Sequence, residues 1–378
     1  MERGYSTIAM HGYEGSFWSR DAAYETQGFE RFVDKDGFRV KGTETAWGLN
    51  DEDFFSQAVD YLKKQEKPFY GFLVSLSNHT PFELPQDLCS LDLKTEHVGT
   101  MFGNYLQSVH YADEALGVLI RELKKAKLYD DTVIAIYGDH FGLSVSDEEN
   151  VKYMSEFLGR DYKFSDAANV PLVIHIPGVE KVLAAELPKT VSVAGGQTDF
   201  LPTMAYLMDF EKLDTLYMGQ NLLAKDAVGY VIQYRYAQPG SFLTDTYCYN
   251  ASSDGLFANG KAYVVKNGER LKLTEDMRAL YIRALGLTQK VQEILDTDAL
   301  RPLYYADGQP DRVETVLVEL SKSVVKPTVT VEPSAPVDPV DDLVVTGPAI
   351  DVPEAEEPTV GEPDEVENDG GNVPTAVI

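Results

Sequence analysis

Basic residues, cysteines and long apolar runs are all scarce in this chain, and each shortage removes a class of function. Thirty-three Lys and Arg stand against 61 Asp and Glu, a formal charge of −28. Nucleic-acid binding needs a basic footprint to displace counterions from phosphates, so that class is set aside. Two cysteines in 378 residues, Cys89 and Cys248, cannot build a disulfide framework, and neither has a metal-site spacing around it. Both read as small buried apolar groups. No apolar run approaches the roughly 20 residues that span a bilayer, and no signal-peptide pattern precedes the first strand. Met1-Glu2-Arg3-Gly4 leads straight into strand-like Ser6 to Met10, a beginning that reads as partway into a domain.

What is present is organised around Thr132-Val133-Ile134-Ala135-Ile136-Tyr137-Gly138-Asp139-His140-Phe141-Gly142. The β-branched, small and aromatic residues predict a buried strand fed by a turn at Tyr129-Asp130-Asp131. It stops at an Asp-His pair between two glycines. Ahead of it, Ser6 to Met10 ends in His11-Gly12, and a loop through Trp18 and Arg20 leads to a helix over 21–27. Phe54, Phe55, Val59 and Leu62 recur at helical spacing within 51–65, with Asp51 at the cap and Lys63-Lys64 in the last turn. A strand over 69–77 runs into Asn78-His79-Thr80-Pro81-Phe82, and an amphipathic helix spans about 103–127. After a polar segment over 144–168, Val170 to Ile176 is a further strand, and Thr198 or Asp199 caps a helix.

Strand alternating with helix predicts an α/β fold, a mostly parallel sheet flanked by helices. The core is assigned to 1–218. A smaller C-terminal α+β subdomain is assigned to 219–325, with antiparallel strands at 230–236, 241–247 and 261–266, an Asn267-Gly268 turn, and a helix from about 287 to 300. From Pro327 onward there are thirteen acidic residues, nine prolines and no Lys or Arg. Such a segment cannot bury enough apolar area to offset its ordering entropy, so 326–378 is expected to be a disordered acidic tail.

In an open parallel sheet, ligands gather at the carboxyl ends of the strands. Those ends carry His11 with Trp18 and Arg20, then His79, then Asp139-His140, then a Gly195-Gly196-Gln197 loop. Arg20 offers a planar fork for a phosphate or sulfate oxyanion. Trp18 offers a flat wall for a polyol or lipid headgroup. His11 and His79 can donate to an oxyanion or relay a proton. Asp139 and His140 suit a divalent cation, which acts as a Lewis acid on a phosphoryl oxygen. The plain alternatives are a structural histidine at each strand end, Trp18 in the core, and Arg20 paired with Glu14 or Asp21 on a solvated surface. His175, mid-strand, reads as structural.

Three ordered motifs then carry a resemblance: His11-Gly12-x-x-x-x-Phe17-Trp18-x-Arg20, Leu76-Ser77-Asn78-His79-x-Pro81-Phe82, and Tyr137-Gly138-Asp139-His140-Phe141-Gly142. Together with Tyr105 to Leu116 and Gly196-Gln197-x-Asp199-x-x-Pro202-Thr203, they resemble the lipoteichoic acid synthases, phosphoglycerol transferases of the alkaline phosphatase/sulfatase superfamily. The resemblance implies that Asp139 and His140 are two ligands of a catalytic Mn²⁺, with Mg²⁺ or Zn²⁺ as alternatives. It implies that His11, Trp18, Arg20 and His79 form the glycerol-phosphate pocket. The group would come from phosphatidylglycerol, rest on an enzyme threonine, and pass to a polymer at the extracellular face of the bacterial cell membrane. Tyr13 departs from the pattern, since a polar group often stands there.

In that family the nucleophilic Thr and a further acidic ligand lie upstream of the His-Gly motif, behind membrane-spanning helices. Neither Glu2 nor Thr7 is a credible replacement. The chain therefore reads as the part of such an enzyme that lacks its first strand-helix unit, and as inactive by itself. Its partners would be an anionic glycerophospholipid or polymer headgroup, with the membrane reached through the preceding region. The alternatives are a sulfatase or phosphodiesterase of the same superfamily, or a non-catalytic cell-surface binding module.

Overall fold

The computed structural model describes residues 4–178, 190–210, 217–233 and 237–297. Three strands, β1 (Ser6–His11), β2 (Arg31–Val33) and β3 (Phe69–Val74), form a parallel sheet in the order β2-β1-β3. Helix α1 (Arg20–Thr26) lies between β1 and β2 in sequence, and α2 (Asp51–Leu62) between β2 and β3. The long helix α3 (Met101–Lys125) starts where the Thr100 side chain accepts from Gly103 N–H, and it ends on Lys124 and Lys125, which suits the helix dipole. Its Leu119 and Leu123 pack with Phe54, Phe55, Val59 and Leu62 of α2 on Ile8 and Met10 of β1. This core holds β1 as the spine from which the site is built.

The central strand β4 (Ile134–Tyr137) runs into the Asp-His pair. The polar segment after it carries two helices that its hydropathy did not announce, α4 (Glu148–Leu158) and α5 (Phe164–Ala167). Asp147 caps α4 by accepting from Asn150 N–H. Strand β5 (Leu172–His175) then pairs with β4 antiparallel, Tyr137 opposite Leu172 and Ile134 opposite His175. The connection begins and ends at one edge, so no crossover is needed. Among the described residues β3 pairs only with β1, and β4 only with β5. Among those residues one backbone edge of each carries no ladder.

Helix α6 (Phe200–Leu207) follows a turn at Gln197–Asp199. Asp199 does not cap it. Its carboxylate accepts from Gly196 N–H at 2.8 Å and Gln220 N–H at 2.7 Å, tying the glycine loop to a later segment. The α/β core is followed by a five-stranded antiparallel sheet, β10-β9-β8-β7-β6: β6 (Tyr230–Ile232), β7 (Phe242–Thr244), β8 (Tyr247–Asn250), β9 (Lys261–Val264) and β10 (Arg270–Leu271). The strand expected over 241–247 is two strands, because the Thr244 hydroxyl accepts from Tyr247 N–H at 3.1 Å and closes a turn inside the apolar run. The last helix, α7 (Glu275–Asp296), begins twelve residues before its expected start at 287, capped by Thr274. Met277, Leu280 and Tyr281 in those early turns pack on Phe242, Tyr247 and Tyr249. Residues 234–236, the end of the expected last helix and the acidic tail lie outside the described residues. Among the described residues no helix is long and apolar enough to cross a membrane.

Candidate functional site

His11 closes β1 opposite Val74 of β3. Its Nδ1–H donates to Val74 O at 3.1 Å, which leaves Nε2 as the acceptor of the neutral ring. The residue is 1% exposed. Burial above all, then the positive charge of Arg20, pushes its pKa down to about 4; the Val74 hydrogen bond opposes the shift and His79 adds to it. The ring is therefore neutral at pH 7, and its free nitrogen is fitted to accept from a hydroxyl.

Two residues in the left-handed region, Trp18 at φ 58° and Ser19 at φ 50°, turn the chain sharply into α1. Such backbone is strained outside glycine. It swings the Trp18 ring outward, 67% exposed, so it is not core. Arg20 follows. Among the described residues the ion pair of Glu14 is with Lys35, not with Arg20. Arg20 bonds the Tyr24 side chain, and its Nε is buried with no hydrogen-bond partner. A buried guanidinium N–H without an acceptor is a place where an oxyanion would be met.

His79 is held from two sides. Its Nδ1–H donates to Thr80 O at 2.9 Å, and the Trp47 indole N–H donates to the same carbonyl at 2.9 Å. The Trp47 ring stands edge-on to His79 with centroids 4.8 Å apart, and His79 stands edge-on to His140 at 5.8 Å. Trp18, Phe17, Trp47, His79 and His140 thus form one chain of ring contacts linking the Arg20 loop to the end of β4.

Asp139 and His140 sit between glycines for steric reasons. A Cβ on Gly138 would lie 2.9 Å from Val170 Cβ, and one on Gly142 would lie 2.7 Å from the Tyr105 ring. His140 Nδ1–H donates to Phe141 O at 2.8 Å, and its Nε2 is 3.8 Å from Asp139 Oδ1. A carbonyl on one imidazole nitrogen and a lone pair on the other is the arrangement of a metal-binding histidine. Gln197 Nε2–H donates to Gly138 O at 3.3 Å and Asp139 O at 2.5 Å, so the Gly195-Gly196-Gln197 loop fixes the backbone of the pair. Among the described residues no three His, Cys, Asp or Glu side chains gather as a metal site. The donors fit a divalent cation in kind but supply two of the four or more ligands it needs.

Electrostatic coupling joins His11 to both Arg20 and His79, and ring contact joins His79 to His140. His175 stands elsewhere, stacked on Tyr129 at 4.4 Å beside the start of β4. Thr7 lies within β1 with its hydroxyl donating to Gly28 O at 3.1 Å, and Glu2 is outside the described residues. Sequence reasoning overlooked Trp47 and Asp51. The Trp47 signal was only its rarity, one of two tryptophans. Asp51 stands at the cap that the sequence predicts for α2, whereas Asn50 caps it by accepting from Asp53 N–H at 2.9 Å and Asp51 turns inward.

A sulfatase family profile matches residues 1–210. Lipoteichoic acid synthase-like YvgJ of Bacillus subtilis is 34% identical over 305 residues, covering 79% of this chain and 46% of that protein. The lipoteichoic acid synthase of Staphylococcus saprophyticus is 34% identical over 320 residues, covering 83% of this chain and 45% of its own length. The chain thus spans about half the length of the curated relatives it matches. The crystal structure of the lipoteichoic acid synthase LtaP from Listeria monocytogenes superposes with a TM-score of 0.69 at 27% identity, over 78% of this chain and 71% of that one. On the family match, which takes in more than half of its residues, the chain belongs to the sulfatase family, and the curated relatives it resembles there are named lipoteichoic acid synthases.

Proposed function

We propose that these residues form the headgroup pocket and half of the metal site of a phosphoglycerol transferase, one that moves glycerol phosphate from phosphatidylglycerol to a cell-envelope polymer outside the bacterial cell membrane. The observation that carries the reading is the ring contact between His79 and His140, which brings the His11/Arg20/His79 group and the Asp139/His140 pair into one site. Arg20 takes the phosphoryl oxygens through its unsatisfied Nε–H. Neutral His11 accepts from a glycerol hydroxyl through Nε2. His79 turns its Nε2 to the phosphate, and Trp18 covers the carbon face of the headgroup. Asp139 and His140 would hold a divalent cation, Mn²⁺ before Mg²⁺ or Zn²⁺, which when bound polarises a phosphoryl oxygen.

With two ligands of its own, the chain alone holds a cation weakly. The further acidic ligand and the threonine nucleophile belong to a segment outside these 378 residues. Loss of a covalent nucleophile has removed about a million-fold in rate where measured, so the chain alone is expected to give no turnover of a phosphatidylglycerol analogue, with or without Mn²⁺.

The test is calorimetric titration of the chain with glycerol phosphate. Binding is expected, with Arg20→Ala weakening it about 10- to 100-fold, the range set by losing a charged hydrogen bond. No binding, or binding indifferent to Arg20, would sink the pocket. Inorganic sulfate competing as well as glycerol phosphate would favour a sulfatase. Turnover abolished by Asp139→Ala would overturn the dependence on a further segment.

A further inference from the structure

We propose that Asp51 is a positioning residue for His79, holding the loop after β3 so that the imidazole faces the pocket. This rests on the reading of His79 as a headgroup contact. The first residue of α2 is where a carboxylate would ordinarily stay in water beside the helix dipole. Asp51 is instead 1% exposed. One carboxylate oxygen accepts from Leu76 N–H at 2.8 Å, the other from Ser77 N–H at 3.1 Å, and its own N–H donates to the Ser77 hydroxyl at 3.0 Å. Three hydrogen bonds therefore tie the start of α2 to the two residues that lead into Asn78-His79.

The next residues are tethered as well. Ser108 of α3 donates to Asn78 Oδ1 at 2.6 Å, and Trp47 donates to Thr80 O. Of these tethers Asp51 supplies the charged one. Only a carboxylate presents acceptors alone on both arms, so only it receives two converging N–H groups without a clash. Burying it is costly, and an element that merely had to be stapled down would be held as well by a neutral side chain. Burial also raises its pKa to about 6, against the opposing pull of the Leu76 and Ser77 hydrogen bonds. A proton arriving there turns one acceptor into a donor facing an N–H, and that tether is lost. The titratable group that faces Asp51 from α3 is the Tyr111 phenol, itself raised by burial and neutral throughout; it feels Glu52 and Asp53 of the same helix as well. The loop after β3 faces it with backbone N–H groups and the Ser77 hydroxyl, which do not titrate.

The experiment measures binding of glycerophosphoglycerol, a phosphodiester whose charge is constant between pH 5 and 8, to the full chain. It compares the parent, Asp51→Asn, His79→Ala and the double variant. At pH 8 Asp51→Asn is expected to weaken binding about tenfold with its thermal midpoint within a few degrees of the parent. That ratio should shrink toward one below pH 6, where the parent carboxyl is itself protonated. On the His79→Ala background Asp51→Asn should cost nothing more, which separates positioning from general support of the fold. An equal loss on both backgrounds, or a ratio that does not change with pH, overturns the proposal. If the parent binds no phosphodiester, the pocket reading fails, and the nuclear Overhauser contacts between the His79 and Trp47 rings of the free protein decide this one. At pH 8 the parent should show them and Asp51→Asn should lose them; their persistence in Asp51→Asn overturns the proposal. If Asp51→Asn does not fold, the same ring contacts are measured in the parent at pH 8 and pH 5, and no weakening at the lower pH overturns the proposal.

Discussion

The parallel sheet and the antiparallel sheet bury their side chains by the same physics and differ in whether their unspent polar groups gather in one place. In the C-terminal sheet most of the large phenols are spent on the fold: Tyr249 donates to Phe257 O, Tyr281 to Gly255 O and Tyr230 to Leu280 O, while the Tyr247 hydroxyl and Arg283 Nε are buried without a partner at scattered places. Around β1, β3 and β4 polar groups are buried or gathered with capacity to spare. His11, His79 and His140 each use one ring nitrogen, and Arg20 has a buried N–H without a partner. What sets the first region apart is that its spare capacity converges along one chain of ring contacts, from the Arg20 loop through His79 to His140.

The sharpest way to break that contrast is to damage the second sheet. Phe242→Ala, at a fully buried ring between Tyr247 and Tyr249, is expected to cost about 4 kcal/mol of stability in chemical denaturation. Headgroup affinity below the transition should be unchanged; a parallel loss would show the two regions to be one unit.

Next in size is the pH dependence of the first region. His11 titrates near 4 in the fold against 6.5 in a free chain. The unfolded state therefore takes the proton first, and roughly 3 kcal/mol present above pH 6.5 is lost as pH falls through 4. Asp51 runs the other way, at about 6 against 3.8. Its stabilising share, also roughly 3 kcal/mol, is full below pH 3.8 and lost as pH rises through 6. The two nearly offset, so the parent should show a shallow profile between pH 4 and 6.5. Denaturation of His11→Asn should uncover the Asp51 slope, with stability rising on acidification; a flat profile in that variant would contradict the assignment. The smallest effect is expected from Trp18→Ala. Its exposed ring should change stability by less than about 0.5 kcal/mol while weakening headgroup binding severalfold; equal binding would remove Trp18 from the pocket.

The strand ends were legible because a continuous apolar run stopping at His-Gly or Gly-Asp-His leaves few other placements for those side chains. The direction of β5 was not legible, since Leu172 to His175 reads alike whether it runs with β4 or against it. The β7–β8 turn was hidden because Asp245-Thr246 interrupts an aromatic run for only two residues. The start of α7 was missed because Gly286 and the long polar face blurred its period, while Thr274 with acidic Glu275 and Asp276 was the readable start signal. Asp51 shows the harder limit. Asn50 and Asp51 are both competent caps one position apart, and only the Leu76 and Ser77 amides decide which turns inward.

Each imidazole of the site has a main-chain carbonyl as its fixed partner. The nitrogen turned toward an incoming guest is thereby chosen before the guest arrives, and swapping one guest for another requires no ring to rotate. Such a receptor is ready in advance, and capture should be governed by encounter rather than by rearrangement.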